Sequence, residues 1–447
     1  MRAVLRPLFL LPAALAACPA PTPPPVGGSG FTCTGDVCTV TGPILEDTTF
    51  TADKQWVLKG GVFVGDDTDP AAAPATLTIE PGTTIFGDTA SLSFLLITRG
   101  CRLIADGTED APIVFTSAAD AGSRVRGHWG GIVINGQAPV NGCAGDPCTL
   151  SGEAGTGTYG GSDVEDDSGV IRYVRVEFPG KLIDDENELN GISLQGVGRG
   201  TTIDFVQVHM GADDCIEFFG GTVDAKHIVC TGIGDDNLDW TFGWTGRLQY
   251  LVAQQAADAG ERGIEADNNE DNFALTPISD PVISHMTLIG NGTADGVKLR
   301  RGTRAQIHNA VIAGFSKCLD IDDADTFAHG AAGEIVVQHS VFDCDDVFKV
   351  KTDDPATPDV DEADPADAAA TFSAILEDDS TGNSSAAVAT VLTDATNRSA
   401  PDFRVKAGSA AATGGVIPDV DFFDDVAFVG AVGETDWTAG WTAYPAN

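Results

Sequence analysis

Six segments of the chain place an apolar residue at their third and fifth positions, with a charged residue between them. They are DCIEFFGG (from 214), DNLDWTFG (236), RGIEADNN (262), DGVKLRRG (295), KCLDIDDA (317) and DVFKVKTD (346). The third position holds Ile216, Leu238, Ile264, Val297, Leu319 and Phe348; the fifth holds Phe218, Trp240, Ala266, Leu299, Ile321 and Val350. Such period-two alternation predicts strands with one buried face. NGISLQGV (190) and GGIVINGQ (130) fit the same template. A second strand recurs between them: IRYVRVE (171), IDFVQVH (203), AKHIVCT (225), LQYLVAQ (248), ISHMTLI (283) and IHNAVIA (307). Several intervals are 22 to 24 residues, and the turns are built from Gly, Asn and Asp. Short strands at that period predict an all-β, parallel β-helix solenoid; a β-propeller would need about 40 residues per repeat.

LTIEPGTTIFGD, LIADGTEDAPIVFTS and HWGGIVINGQAPVN resemble the opening coils of right-handed, pectin-lyase-like β-helix proteins. Together with DDCIEFFGGTVDAKHIV, GDDNLDWTFGW and the closing FFDDVAFVGAVGETDWTAGWTAY, they are similar to a family of bacterial exported lipoproteins of unsettled activity. The resemblance runs from Thr76 to Tyr444. It implies the right-handed fold and leaves function to the residues.

Both ends interrupt the repeat. Arg2 and Arg6 precede a short apolar stretch ending in Leu15-Ala16-Ala17-Cys18, which resembles a bacterial lipobox and implies cleavage before Cys18 and its acylation. Residues 1–17 are then a lipoprotein signal peptide and 18–30 a Pro/Gly-rich tether. The β-helix follows over 31–350, then an Asp/Ala-rich surface insertion over 351–415 and a cap over 416–447 that packs on the solenoid. Pro19 stands where an aspartate would favour inner-membrane retention. The expected place is therefore the outer membrane, on its periplasmic or extracellular face, with lipid as the membrane partner. In that oxidising compartment disulfides persist, and the expected pairs are Cys33–Cys38, Cys143–Cys148, Cys215–Cys230 and Cys318–Cys344. Cys101 is left as a buried small apolar residue.

The formal charge of −41 argues against nucleic acid as a partner and favours cations. Stacked coils turn the residue between the apolar positions into a ladder: Glu217, Asp239, Glu265, Lys298, Asp320, Lys349. Beyond it runs a second column: Phe219, Thr241, Asp267, Arg300, Asp322, Lys351. From Lys298 onward the signs alternate, and the ladder neutralises itself. Glu217, Asp239 and Glu265 instead stack three carboxylates about 4.8 Å apart, a spacing that one calcium ion can bridge. The turn pairs Asp213/Asp214 and Asp235/Asp236, 22 residues apart, superpose in the same way. The competing account is that aspartate simply favours turns, its side chain bonding the local backbone.

Polyuronide lyases of this fold use calcium and a basic residue, and Lys298, Arg300 and Arg301 beside Asp322 are the catalytic candidates. The same residues read as a salt-bridge ladder. His227, His285 and His308 fall at nearly equivalent strand positions and read as hydrogen-bonded strand residues. Trp240 is expected in the core and Trp244 as an exposed platform; GEAGTGTYGG (152–161) reads as a surface loop pinned by Cys143–Cys148. The expected function is a calcium-stabilised surface binding or adhesion module for polysaccharide or another surface protein, with a polyuronide lyase as the alternative.

Overall fold

The structure is a computed structural model that describes residues 30–69, 72–143, 145, 147–181, 183, 188–348, 350–351, 364–376, 381–418 and 420–446. The signal segment, Cys18 and Lys349 lie outside these residues. The chain winds as a right-handed parallel β-helix. One wall is a ten-stranded sheet that begins at Gly61–Val64 and ends at Asp346–Phe348. Its register is the one that the apolar pattern dictates: Ile216, Leu238, Ile264, Val297 and Leu319 are successive partners, and so are Glu217, Asp239, Glu265, Lys298 and Asp320.

The opposite side begins as two narrow runs of strands that fuse. Arg102–Asp106 pairs with the first half of Gly169–Glu177, and Ile113–Ser117 pairs with the second half. Between the halves, Tyr173 adopts a left-handed conformation (φ 48°) and bends the strand. Phe205, His227, Tyr250, His285 and Asn309 repeat the bend in later coils, and the pairing skips each of them. The bend residues stack: ring centroids lie 4.4 Å apart from Tyr173 to Phe205, 4.1 Å from Phe205 to His227 and 4.7 Å from His227 to Tyr250. His227 and His285 thus belong to a bend column, whereas His308 pairs with Ser284. His227 bonds Asp204 (Nδ1 to Oδ1, 2.8 Å), and His285 bonds Ser284 (Nδ1 to Oγ, 2.9 Å).

The bend column is covered by the C-terminal segment. Gln207, Gln249 and Asn309 hold the backbone of Ala443, Asp424 and Val416 with both ends of their amides, at 2.8–3.2 Å. This segment lies along the solenoid's flank. The 351–415 region does more than cross the surface. Its helix Ala368–Leu376 sits on the last coil, with Phe372 stacked on Phe348 at 4.7 Å and edge-on to Phe327 at 5.5 Å. An open solenoid end would expose apolar core and strand edges, and this helix covers them. All four expected disulfides are present and Cys101 is a free, buried thiol.

Trp240 fills the core as expected. Trp244 does not form a platform. It is fully buried, stacked on Phe218 at 3.9 Å, with its indole N–H donating to the Val223 carbonyl at 3.1 Å. The turn after the strand folds it back inward, where a large ring removes the most apolar area from water.

Candidate metal centre

The turns that enter Ile216–Phe219 and Leu238–Thr241 each bring an acidic pair to the sheet's edge, and each strand adds an outward carboxylate three residues later. Stacking these coils gathers the acids in space. Four overlapping triads have ligand oxygens within 4.8 Å of one another: Glu188/Asp213/Asp235, Asp214/Glu217/Asp239, Asp214/Asp235/Asp236 and Asp236/Asp239/Glu265. All seven metal candidates from the sequence are here, and Glu188 joins them. Every donor is a carboxylate oxygen, the set that calcium prefers; no His or Cys takes part, which disfavours softer metals.

Little within the protein neutralises this group. Of the eight carboxylates, Glu265 alone has a cation within ion-pair distance among the described residues: Arg262 at 2.9 Å, and Arg300. Asp214 accepts from the Asp236 N–H (2.9 Å), and Glu217 accepts from the Asn190 amide (2.7 Å). Among the described residues Asp239 has neither a hydrogen-bond donor nor an ion pair; Glu217, Glu265, Asp267 and Asp236 crowd it, and Arg300 acts on it from beyond ion-pair distance. Two fully buried oxygens point the same way: Asp236 Oδ1 and Asn190 Oδ1 have no hydrogen-bond donor. A polar atom buried without a partner is costly, so a bound cation would relieve both.

Burial and crowding push these acids upward. Asp213 rises to about 9, first through burial and then through its hydrogen bond with Glu188. Asp235 rises to about 7 through burial and its bond with Glu261. Burial first, then neighbouring carboxylates, hold Asp214, Glu217, Asp236 and Asp239 well above the usual carboxylate range. Two carboxylates in hydrogen-bond contact need a proton or a cation between them.

The face is covered as well as charged. The disulfide-pinned loop lies across it: Tyr159 packs edge-on against the outward Phe219 at 6.3 Å, and Gly152, lacking a Cβ, leaves room for Gln195. Asn141 ties a second loop down by donating to Asn268 Oδ1 at 2.7 Å and to the Pro277 carbonyl at 2.8 Å. Glu153 keeps solvent access at the edge of this cover, yet desolvation by the surrounding protein, and then the charges of Glu188 and Glu270, push it up to about 7. The 152–161 loop therefore carries an acid towards the cluster, which its glycine content did not disclose. Glu188 had a local signal: Asn190 aligns one coil before Asp214, inside the acidic run DDENEL. Glu153 had none.

The lyase candidates are all engaged. Lys298 contacts Asp322 at 2.7 Å and Asp320 at 3.8 Å. Arg300 and Arg301 each reach Asp267 at 2.7 Å. Asp322 also pairs with Lys351, which lies 3.0 Å from Asp320. The alternating ladder is thus a closed ion-pair network.

A model of the pectate-lyase-like β-helix domain family matches residues 42–442. No curated protein and no solved structure matches the chain. The chain belongs to the pectate-lyase-like β-helix family.

Proposed function

We propose that this β-helix is a calcium-holding surface binding or adhesion module of the bacterial cell envelope, tethered to the outer membrane by lipid on Cys18. Polysaccharide or another surface protein is its partner. The observation that carries the reading is the half-buried Asp239, flanked in register by Glu217 and Glu265 and without an ion pair among the described residues. A calcium ion between neighbouring rungs would take oxygens from Asp214, Glu217 and Asp239, or from Asp236, Asp239 and Glu265. It would replace repulsion worth about 3 kcal/mol per adjacent pair in a protein-like dielectric. The donors fit in type, number and closeness. Its chemistry here is structural: it locks three coils and the loops above them into one rigid face.

The covering loops and the engagement of Lys298, Arg300, Arg301 and Asp322 in ion pairs support a non-enzymatic role, since a lyase needs an accessible base beside its metal. The test is a melting curve of the full chain with and without calcium, run beside a polyuronide screen that follows unsaturated product. A calcium-dependent rise in Tm with no product is expected. Product formation would overturn the non-enzymatic reading, and an unmoved Tm would sink the metal.

A further inference from the structure

Away from the acidic cluster, the turns that leave the bent sheet line a separate cavity of about 280 Å³, closed on one side by Tyr444 and Ala446 of the C-terminal segment. Its charge runs against that of the whole chain. Two guanidiniums, Arg126 and Arg398, line it, and the one carboxylate in the lining is Asp258. Asp258 sits 3.5 Å from Arg126 with its side chain 79% exposed, a weak counter-charge. Arg398 has no carboxylate partner among the described residues. Each guanidinium is fixed by its Nε–H on a backbone carbonyl: Arg126 on Gly232 and Arg398 on Gln255, both at 2.8 Å. Arg398 adds a bond to the Gly290 carbonyl at 3.3 Å. Pinned in this way, the forks lose little freedom on gripping an anion.

A third donor belongs to the same lining. Gln255 is fully buried; its Oε1 accepts from the Asn291 N–H at 3.1 Å, while its Nε2 has no acceptor. His209 supplies nothing further, because its ring nitrogens are taken by Thr231 and by the Pro445 carbonyl. The rest of the lining mixes Thr231, Gln254 and Ser399 with an apolar wall of Met210, Ala256, Ala257 and Tyr444. Two fixed guanidiniums and a buried amide donor over an apolar wall suit an anion with a short hydrocarbon body.

We propose that this cavity binds a small organic carboxylate, its head between Arg126 and Arg398 and its chain against Met210 and Tyr444. The proposal is independent of the calcium reading and concerns different residues. The test is calorimetric titration of the full chain with butyrate, butyramide and inorganic phosphate at low ionic strength. Saturable butyrate binding is expected, with butyramide and phosphate each weaker by about tenfold or more. Arg398→Met should weaken butyrate by about tenfold, and Arg126→Met should do the same should the first variant misfold. Absent butyrate binding, or equal binding of butyramide, overturns the site. Phosphate binding as tight as butyrate overturns the carboxylate assignment.

Discussion

The outward face of the ten-stranded sheet carries one backbone ladder with two electrostatic halves. Between Lys298 and Lys351 the signs alternate, and each buried charge finds its opposite on the adjacent coil: Lys298 and Lys351 both reach Asp320 and Asp322. Between Glu217 and Glu265 the rungs are all acidic, and apart from Glu265 they have no ion pair among the described residues. The strands, spacing and register are the same. What differs is where the compensating charge comes from. In one half the sequence encodes it; in the other the acids fit a charge drawn from solution. Stability should therefore respond to mutation in one half and to solution conditions in the other.

The largest effect is expected in the self-neutralised half. Asp320 is 2% exposed, and Asp320→Ala would remove the buried carboxylate that Lys298 and Lys351 share. A loss of about 3–5 kcal/mol is expected, unchanged by calcium or chelator, as read from denaturant melts in both.

Next comes pH. The folded-state pKa of Asp213 and Asp235 lies above the unfolded value of 3.8, at about 9 and about 7. The folded protein thus binds more protons than the unfolded chain. That contribution is fully present below the unfolded pKa and is lost as pH rises through the folded values. Chelator-treated protein should lose stability progressively from pH 5 to 9. Calcium should flatten the slope, and melts at stepped pH with and without it check this. His209, His285 and His308 work in the opposite sense. Burial lowers each to about 4, so their contribution is present above 6.5 and is lost as pH falls towards 4. Acidification should therefore loosen the C-terminal segment, which hydrogen exchange at Tyr444 and its neighbours would detect, while it relieves the acidic cluster.

The smallest effect has the most telling sign. Asp239→Asn removes a charge from the acidic half, so the ion-free protein should gain about 1–2 kcal/mol. Most substitutions at a half-buried position destabilise, and chemical melts in chelator would separate the two outcomes.

Much of this comparison was legible in the chain. Side chains on a strand alternate with period two, so Ile216, Leu238 and Ile264 announced the buried face, and Glu217, Asp239 and Glu265 the column between them. The alternation from Lys298 onward could be read as ion pairs for the same reason. Three features were hidden. Trp244 follows a turn, where period two no longer says which way a side chain points. The bend column through Tyr173, Phe205 and His227 depends on one left-handed residue per coil, a conformation with no residue preference visible in that series. Glu153 reaches the cluster from a loop separated from Asp213 by two coils of chain, and its position is set by Tyr159 docking on Phe219. Local periodicity carries no information about that kind of contact.

The central claim is that Asp239 sits in a cation site. It is tested most directly by calorimetric titration of calcium into chelator-stripped protein at pH 8, native against Asp239→Asn. The account predicts saturable binding to the native chain and a loss of about a hundredfold in affinity on substitution, roughly 2.7 kcal/mol. No binding to the native chain, or equal affinity in the variant, would contradict it.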